Sequence, residues 1–137
     1  MNVNATSAWI AANEAVKGFE VLAAEDEGFL GWTFIFTGNL LNTTAAPGFL
    51  TFGMGKAAAA HLIQGLALAS FADKPFTFYY CDQRLADGKP MLTGLSGEAH
   101  GKLYLELAQD PEQRPWLQTF VKDKGYVEFA REEVWNP

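Results

Sequence analysis

Apolar and polar residues alternate along this chain in a way that separates short extended runs from helical ones. Residues 7–17 predict a short helix, capped by Thr6 or Ser7 and stopped by Gly18. Residues 19–23 then alternate enough for a strand, and Glu25-Asp26-Glu27-Gly28 reads as an acidic turn. The strongest extended signal is residues 29–37, where Phe29, Trp32, Phe34 and Phe36 mix with Leu30 and Ile35. Apolar residues on both of its faces predict a central strand, covered on both sides. Gly38-Asn39 ends it, and residues 42–48 form a loop.

A short extended piece at 49–52 leads through Gly53-Met54-Gly55 into the clearest helix, residues 56–71. Its first turns are almost pure alanine, and Leu62, Ile63, Leu66 and Ala69 form a stripe at helical spacing. So apolar and small-sided a helix is expected to lie buried against a sheet, with Leu62, Ile63 and Leu66 inside. Asp73-Lys74-Pro75 stops it, and residues 76–81 predict a second strong strand. An Asp87-Gly88 turn precedes two weaker strands at 91–95 and 102–108, the latter on the alternation of Leu103, Leu105 and Leu107. Asp110-Pro111-Glu112 opens a C-terminal helix to about residue 122, closed by Gly125, and 126–130 is a last strand. The predicted fold is α+β: a mainly antiparallel sheet, barrel-like or hotdog-like, around one buried Ala-rich helix, with a shorter N-terminal and a C-terminal helix. A single domain is expected over residues 1–137.

Composition narrows the function classes. The chain is 49% hydrophobic and 14% aromatic, which excludes a disordered chain. Its net charge of -6 is the wrong sign for a protein that neutralises phosphates, so no nucleic-acid partner is expected. No apolar run reaches membrane-spanning length, so no membrane partner is expected, and the start of the chain does not read as a signal peptide. The single Cys81 cannot form an internal disulfide, and a cytoplasmic location is the expectation.

Candidate chemistry is sparse. Gly53, Gly55 and Lys56 beside a helix start are candidate ligand- or anion-binding residues, since free backbone N–H groups and a lysine attract anions, and His61 lies on the same helix. The full nucleotide patterns are absent: Met54 stands where a phosphate-loop lysine belongs, and Ala58 where the third dinucleotide glycine belongs. The plainer reading of these glycines is a tight strand-to-helix turn. His61, His100 and Cys81 show no metal-ligand spacing, and neither a metal nor a cofactor is expected. Cys81 is followed by Asp82, whose charge would raise the thiol pKa and oppose nucleophilic use. No catalytic residue is assigned.

With so many rings, some are expected at the surface. Trp116 and Trp135, with Glu132 and Glu133 nearby, are the candidate binding residues. These features favour a small, acidic, non-catalytic binding or interaction protein of inhibitor, immunity or anti-defence type, or a self-assembling accessory domain. Its partner would be a protein with a basic surface, or a second copy in a homo-oligomer. Two alternatives stand beside it. A buried apolar helix wrapped by antiparallel strands is similar in layout to hotdog thioesterases and hydratases. Residues 60–69 followed by 74–80 resemble the helix-then-strand unit of bacterial toxin B-subunits, which implies an OB-like barrel binding a glycan or small ligand.

Overall fold

The computed structural model describes residues 2–25 and 31–135. Helices and strands alternate around one open, mixed, mostly parallel sheet. Helix α1 is Ser7–Glu25, strand β1 Trp32–Thr37, helix α2 Leu50–Gly65, strand β2 Phe76–Arg84, helix α3 Gly97–Gln109, strand β3 Leu117–Val121 and strand β4 Gly125–Tyr126. The spatial order is β1-β2-β3-β4; β1, β2 and β3 run parallel and only β4 is antiparallel. A π-helical segment, Leu66–Ser70, continues α2.

The two faces of β2 sort the core. Phe76, Phe78 and Tyr80 point to one side, against Ala8 and Val16 of α1 and Ala59, Ala60 and Ile63 of α2. Tyr79 and Cys81 point to the other, against Leu103 and Leu107 of α3 and Phe120 of β3. The connections β1-α2-β2 and β2-α3-β3 step in the same direction across the sheet but pass over opposite faces. They therefore have opposite hands, and one of them is left-handed, a rare arrangement between parallel strands.

The α+β content agrees with the sequence reading; the mainly antiparallel barrel or hotdog does not. The sheet is open, and helices cover both of its faces. The N-terminal helix is long, because Gly18 sits in the interior of α1 with open space around it, and Phe19 packs a ring on Phe76 at 5.5 Å between centroids. Residues 102–108 belong to α3: Leu103 and Leu107 are buried one helical turn apart while Leu105 is exposed. Ser96 caps that helix by accepting from Ala99 N–H at 3.2 Å. The expected C-terminal helix is replaced by an Asp110 turn, closed by Glu112 N–H on Asp110 Oδ1 at 3.0 Å, and then by β3. Residues 91–95 form no strand, and of the expected 126–130 strand only Tyr126 lies in β4, with Val127 N–H bonded to Thr119 C=O at 2.9 Å. The extended piece at 49–52 is instead the start of α2. The expected turn at 25–28 and the start of the 29–37 strand fall largely outside the described residues.

Along α2 and its π-helical continuation, Ile63 is fully buried, while Leu62 and Leu66 are only half-buried and Ala59, Ala60 and Ala67 supply the close contacts. Among the described residues, no helix is long and apolar enough to cross a membrane.

Candidate functional site

Strands β1 and β2 end side by side, and the chain beyond each folds back to form a cleft. At the end of β1, Gly38 lies so close over the Tyr80 ring that a Cβ there would sit 1.9 Å from Cζ. Only glycine fits. The Tyr80 hydroxyl accepts from Asn39 N–H and donates to Asn39 C=O, both at 3.1 Å, and burial holds its pKa well above the ordinary phenol value. Asn39 Oδ1 in turn accepts from Leu41 N–H at 3.1 Å and starts the single turn Leu40–Asn42. Asn42 is buried there with neither amide atom hydrogen-bonded.

Three polar residues in a row, Asp82, Gln83 and Arg84, end β2. Asp82 and Arg84 form a buried ion pair, and Arg84 Nη1 donates to Gly88 C=O at 2.8 Å across the following turn. Burial raises the Asp82 pKa despite the opposing pull of Arg84. Gln83 is buried too: its Oε1 accepts from Ser96 N–H at 2.9 Å, and its Nε2 donor has no partner. Between these ends lies a cavity of about 210 Å³. Its floor is Gly38, Asn39, Asp82 and Gln83, and its walls are apolar, with Leu41, Phe49, Phe52, Met91, Leu92 and Trp135.

Lys56 reaches the same edge of the sheet from α2. Its ammonium lies 5.2 Å from the Phe36 ring centroid and 5.5 Å from that of Phe52, a cavity wall. Lys56 is buried, and among the described residues it has no hydrogen bond or ion pair. Burial lowers its pKa, and the nearby Asp82 charge only partly offsets this. A buried ammonium between two rings, with N–H donors unspent, is an arrangement for an acceptor oxygen or an anion.

The structure places the sequence candidates unevenly. Helix α2 begins at Leu50, so Gly53 and Gly55 lie in its first turns and are not a strand-to-helix turn. Gly53 N–H is already bonded to Phe49 C=O at 2.7 Å, and Gly55 makes room for Asn4, whose Cβ would be 2.9 Å from an added methyl. Of that group only Lys56 approaches the cleft; His61 is exposed on α2. Trp135 is half-buried and forms part of the cleft wall, whereas Trp116 is half-buried against the α1–α2 core. Glu132 and Glu133 are exposed, and their backbone carbonyls accept from Thr44 Oγ1 at 2.8 Å and Ala45 N–H at 2.9 Å. Together with Trp135 N–H on Ala45 C=O at 2.9 Å, they strap the C-terminal segment to the β1–α2 connection.

His100 is spent on structure, bonded to Ser96 C=O at 2.7 Å and edge-on to the Phe120 ring. Burial and the adjacent Asp82 push the Cys81 thiol far up. Among the described residues, no three His, Cys, Asp or Glu side chains converge. Asn39, Phe52, Asp82, Gln83 and Arg84 were not legible as site residues. The available signal was the polar triplet Asp82-Gln83-Arg84, directly following the apolar run of β2.

An open, mostly parallel sheet with a cleft at its carboxyl ends is the architecture in which nucleotide-type ligands are commonly held. No family model and no solved structure matches the chain. The chain is 46% identical over 129 residues to a protein described as "Short chain dehydrogenase/reductase dmxR12" from Cryptosporiopsis sp. (strain 8999). The match covers 94% of this chain and 50% of that protein, so the chain spans about half the length of the relative it matches. A relative of an enzyme class at this identity overturns the reading of a non-catalytic binding protein. The open parallel sheet removes both the hotdog and the OB-like barrel.

Proposed function

We propose that the chain forms the substrate-facing part of a dehydrogenase/reductase-type oxidoreductase, with the cleft above Gly38 and Asp82 as its active site. The similarity to a dehydrogenase/reductase over nearly the whole chain carries this reading. Its apolar walls suit a small, largely apolar alcohol or carbonyl compound, and they would exclude water from the reacting carbon.

Such a reaction needs a hydride carrier, a nicotinamide or a flavin, which when bound supplies or accepts the hydride. The residues present fit a nucleotide of this kind. Lys56 offers buried, unspent N–H donors to ribose or phosphate oxygens beside the Phe52 wall of the cleft. What the sequence does not contain is a Gly-x-Gly-x-x-Gly turn for a dinucleotide diphosphate. Doubly wound folds divide the dinucleotide between two halves, and the glycine turn belongs to the half that opens the fold. This chain is accordingly assigned the nicotinamide side.

Saturation-transfer NMR on the 137-residue chain tests the assignment, with reduced nicotinamide mononucleotide and AMP as separate probes. The expected result is transfer to the nicotinamide protons, lost in Lys56→Met, and none to AMP. Equal transfer to both nucleotides, no transfer to either, or a signal indifferent to Lys56→Met would overturn it.

A further inference from the structure

The cleft at the ends of β1 and β2 has a polar floor and aromatic walls. In the floor, Asp82 Oδ2 is taken by the Arg84 guanidinium, while Asp82 Oδ1 makes no hydrogen bond among the described residues. Asn39, also in the floor, spends its Oδ1 on Leu41 N–H at 3.1 Å and leaves its Nδ2 donors unused among the described residues. One open acceptor and one open donor are the complement of a hydroxyl, which both donates and accepts. A carbonyl oxygen would use only the Asn39 side, and a bare hydrocarbon would leave both groups unpaired.

The walls carry three rings, Phe49, Phe52 and Trp135, together with the Met91 thioether. Rings and thioethers favour an aromatic guest over an aliphatic one of the same size, through edge and offset contacts. Volume sets the number of rings. A dry apolar cavity of about 150 Å³ holds one benzene, so this one, of about 210 Å³, has room for a six-membered ring and a short arm. Two other cavities are unsuited to such a guest. One of about 570 Å³ is bordered by Arg84, Asp87, Glu128, Arg131 and Glu132, and one of about 330 Å³ by Glu98, Lys102, Glu106, Lys122 and Lys124.

We propose that this cleft selects a single aromatic ring carrying a hydroxyl on a short arm, an arylalkyl alcohol, with the ring among Phe49, Phe52 and Trp135 and the hydroxyl shared between Asp82 and Asn39. Naming that alcohol a substrate rests on the dehydrogenase/reductase reading; its recognition rests on the cavity alone. Trp135 belongs to the C-terminal strap, so the strap supplies one wall of the pocket. The strap is held there by the backbone N–H of Trp135 on Ala45 C=O, a bond that any side chain at this position keeps. The ring can therefore be removed without releasing the strap.

The test titrates the 137-residue chain with benzyl alcohol, toluene and cyclohexylmethanol in turn, following the Gly38 and Asn39 amides and the Trp135 indole N–H by NMR. The expected result is millimolar binding of benzyl alcohol that moves all three signals. Toluene, without the hydroxyl, should bind about fivefold more weakly, and cyclohexylmethanol, without the aromatic ring, about threefold more weakly. Trp135→Ala should weaken benzyl alcohol about tenfold. Asn39→Asp keeps the acceptor for Leu41 N–H and removes the amide donor, and should bring benzyl alcohol down to the level of toluene. No binding, toluene or cyclohexylmethanol binding as tightly as benzyl alcohol, or binding indifferent to both substitutions overturns the proposal. Nicotinamide mononucleotide transfer in the same chain reports separately on the functional reading. Selective benzyl alcohol binding without that transfer upholds the pocket and removes its redox role; transfer without benzyl alcohol binding does the reverse.

Discussion

Strands β1 and β2 lie side by side in register, from Trp32 against Phe76 to Thr37 against Cys81. Their sequences are near equivalents: Trp-Thr-Phe-Ile-Phe-Thr against Phe-Thr-Phe-Tyr-Tyr-Cys. Yet every residue of β2 is buried, and β1 is half-buried until Thr37, which is exposed. The difference comes from neighbours. Strand β2 has β1 on one side and β3 with Gln113 on the other, and helices on both faces, whereas among the described residues β1 has a strand on one side only. Composition states what environment a strand is built for; the number of adjacent strands decides what it receives.

The sharpest way to break the comparison is to delete the same ring from both strands. Phe78→Ala should cost about 3–5 kcal/mol in denaturant unfolding, because Phe78 is fully enclosed. Phe34→Ala, its neighbour in register, should cost roughly half of that, since Phe34 is half-buried. Equal losses would mean that β1 is as enclosed as β2. Gly38→Ala comes next, at about 3 kcal/mol or more, because the new methyl meets a ring that the Asn39 backbone pins from both its N–H and its C=O. A far smaller loss would show that Tyr80 is not anchored beneath the end of β1.

Gln113→Ala probes the closed side of β2. It strands a buried N–H and C=O of Phe78, and about 1–3 kcal/mol should be lost in urea unfolding. Lys56→Met has the smallest effect and the opposite sign, a gain of about 0.5–2 kcal/mol at neutral pH, as expected when a buried ammonium without an ion-pair partner is replaced by an apolar side chain of similar length. The folded-state pKa of Lys56 is lowered from 10.5, so between the folded and unfolded values the unfolded chain binds more protons. Wild-type stability from this group therefore rises with pH through that window, and the advantage of Lys56→Met should fade as pH approaches 10.5. An advantage that grew with pH would contradict the assignment of a buried, unpaired ammonium.

Strands β1 and β2 were legible in the sequence because they carry apolar residues on both faces, which few other structures accommodate; the sheet they form was not. The elements misread were those in which two periods compete. Leu103, Leu105 and Leu107 alternate like a strand, but the Ser96 cap and the one-turn spacing of Leu103 and Leu107 decide for α3. Asp110-Pro111 has the form of a helix start, but the Asp110 side chain closes a turn instead, and Leu117–Val121 finds β2 to pair with. Strand direction was not legible: antiparallel and parallel pairing differ in connections, and the connection through α3 was itself read as a strand.

Of the site, Lys56 stood out as a cation at the head of an apolar helix, and Trp135 as a ring in a polar flank. Asp82, Gln83 and Arg84 did not, because the strand was ended at Cys81. Their roles depend on the turn at Gly88 and on Ser96, which folding alone brings beside them.

The most direct measurement is residue-resolved amide exchange in the free 137-residue chain, comparing the two strands. The expected result is slow exchange at Phe34 and Phe36, which face β2, and at Phe78 and Tyr80, which Gln113 and Trp116 C=O hold, with Thr33, Ile35 and Thr37 at least tenfold faster. Uniformly slow exchange along β1 would show that both of its edges are already covered, and β1 would then be an interior strand of the chain as it stands.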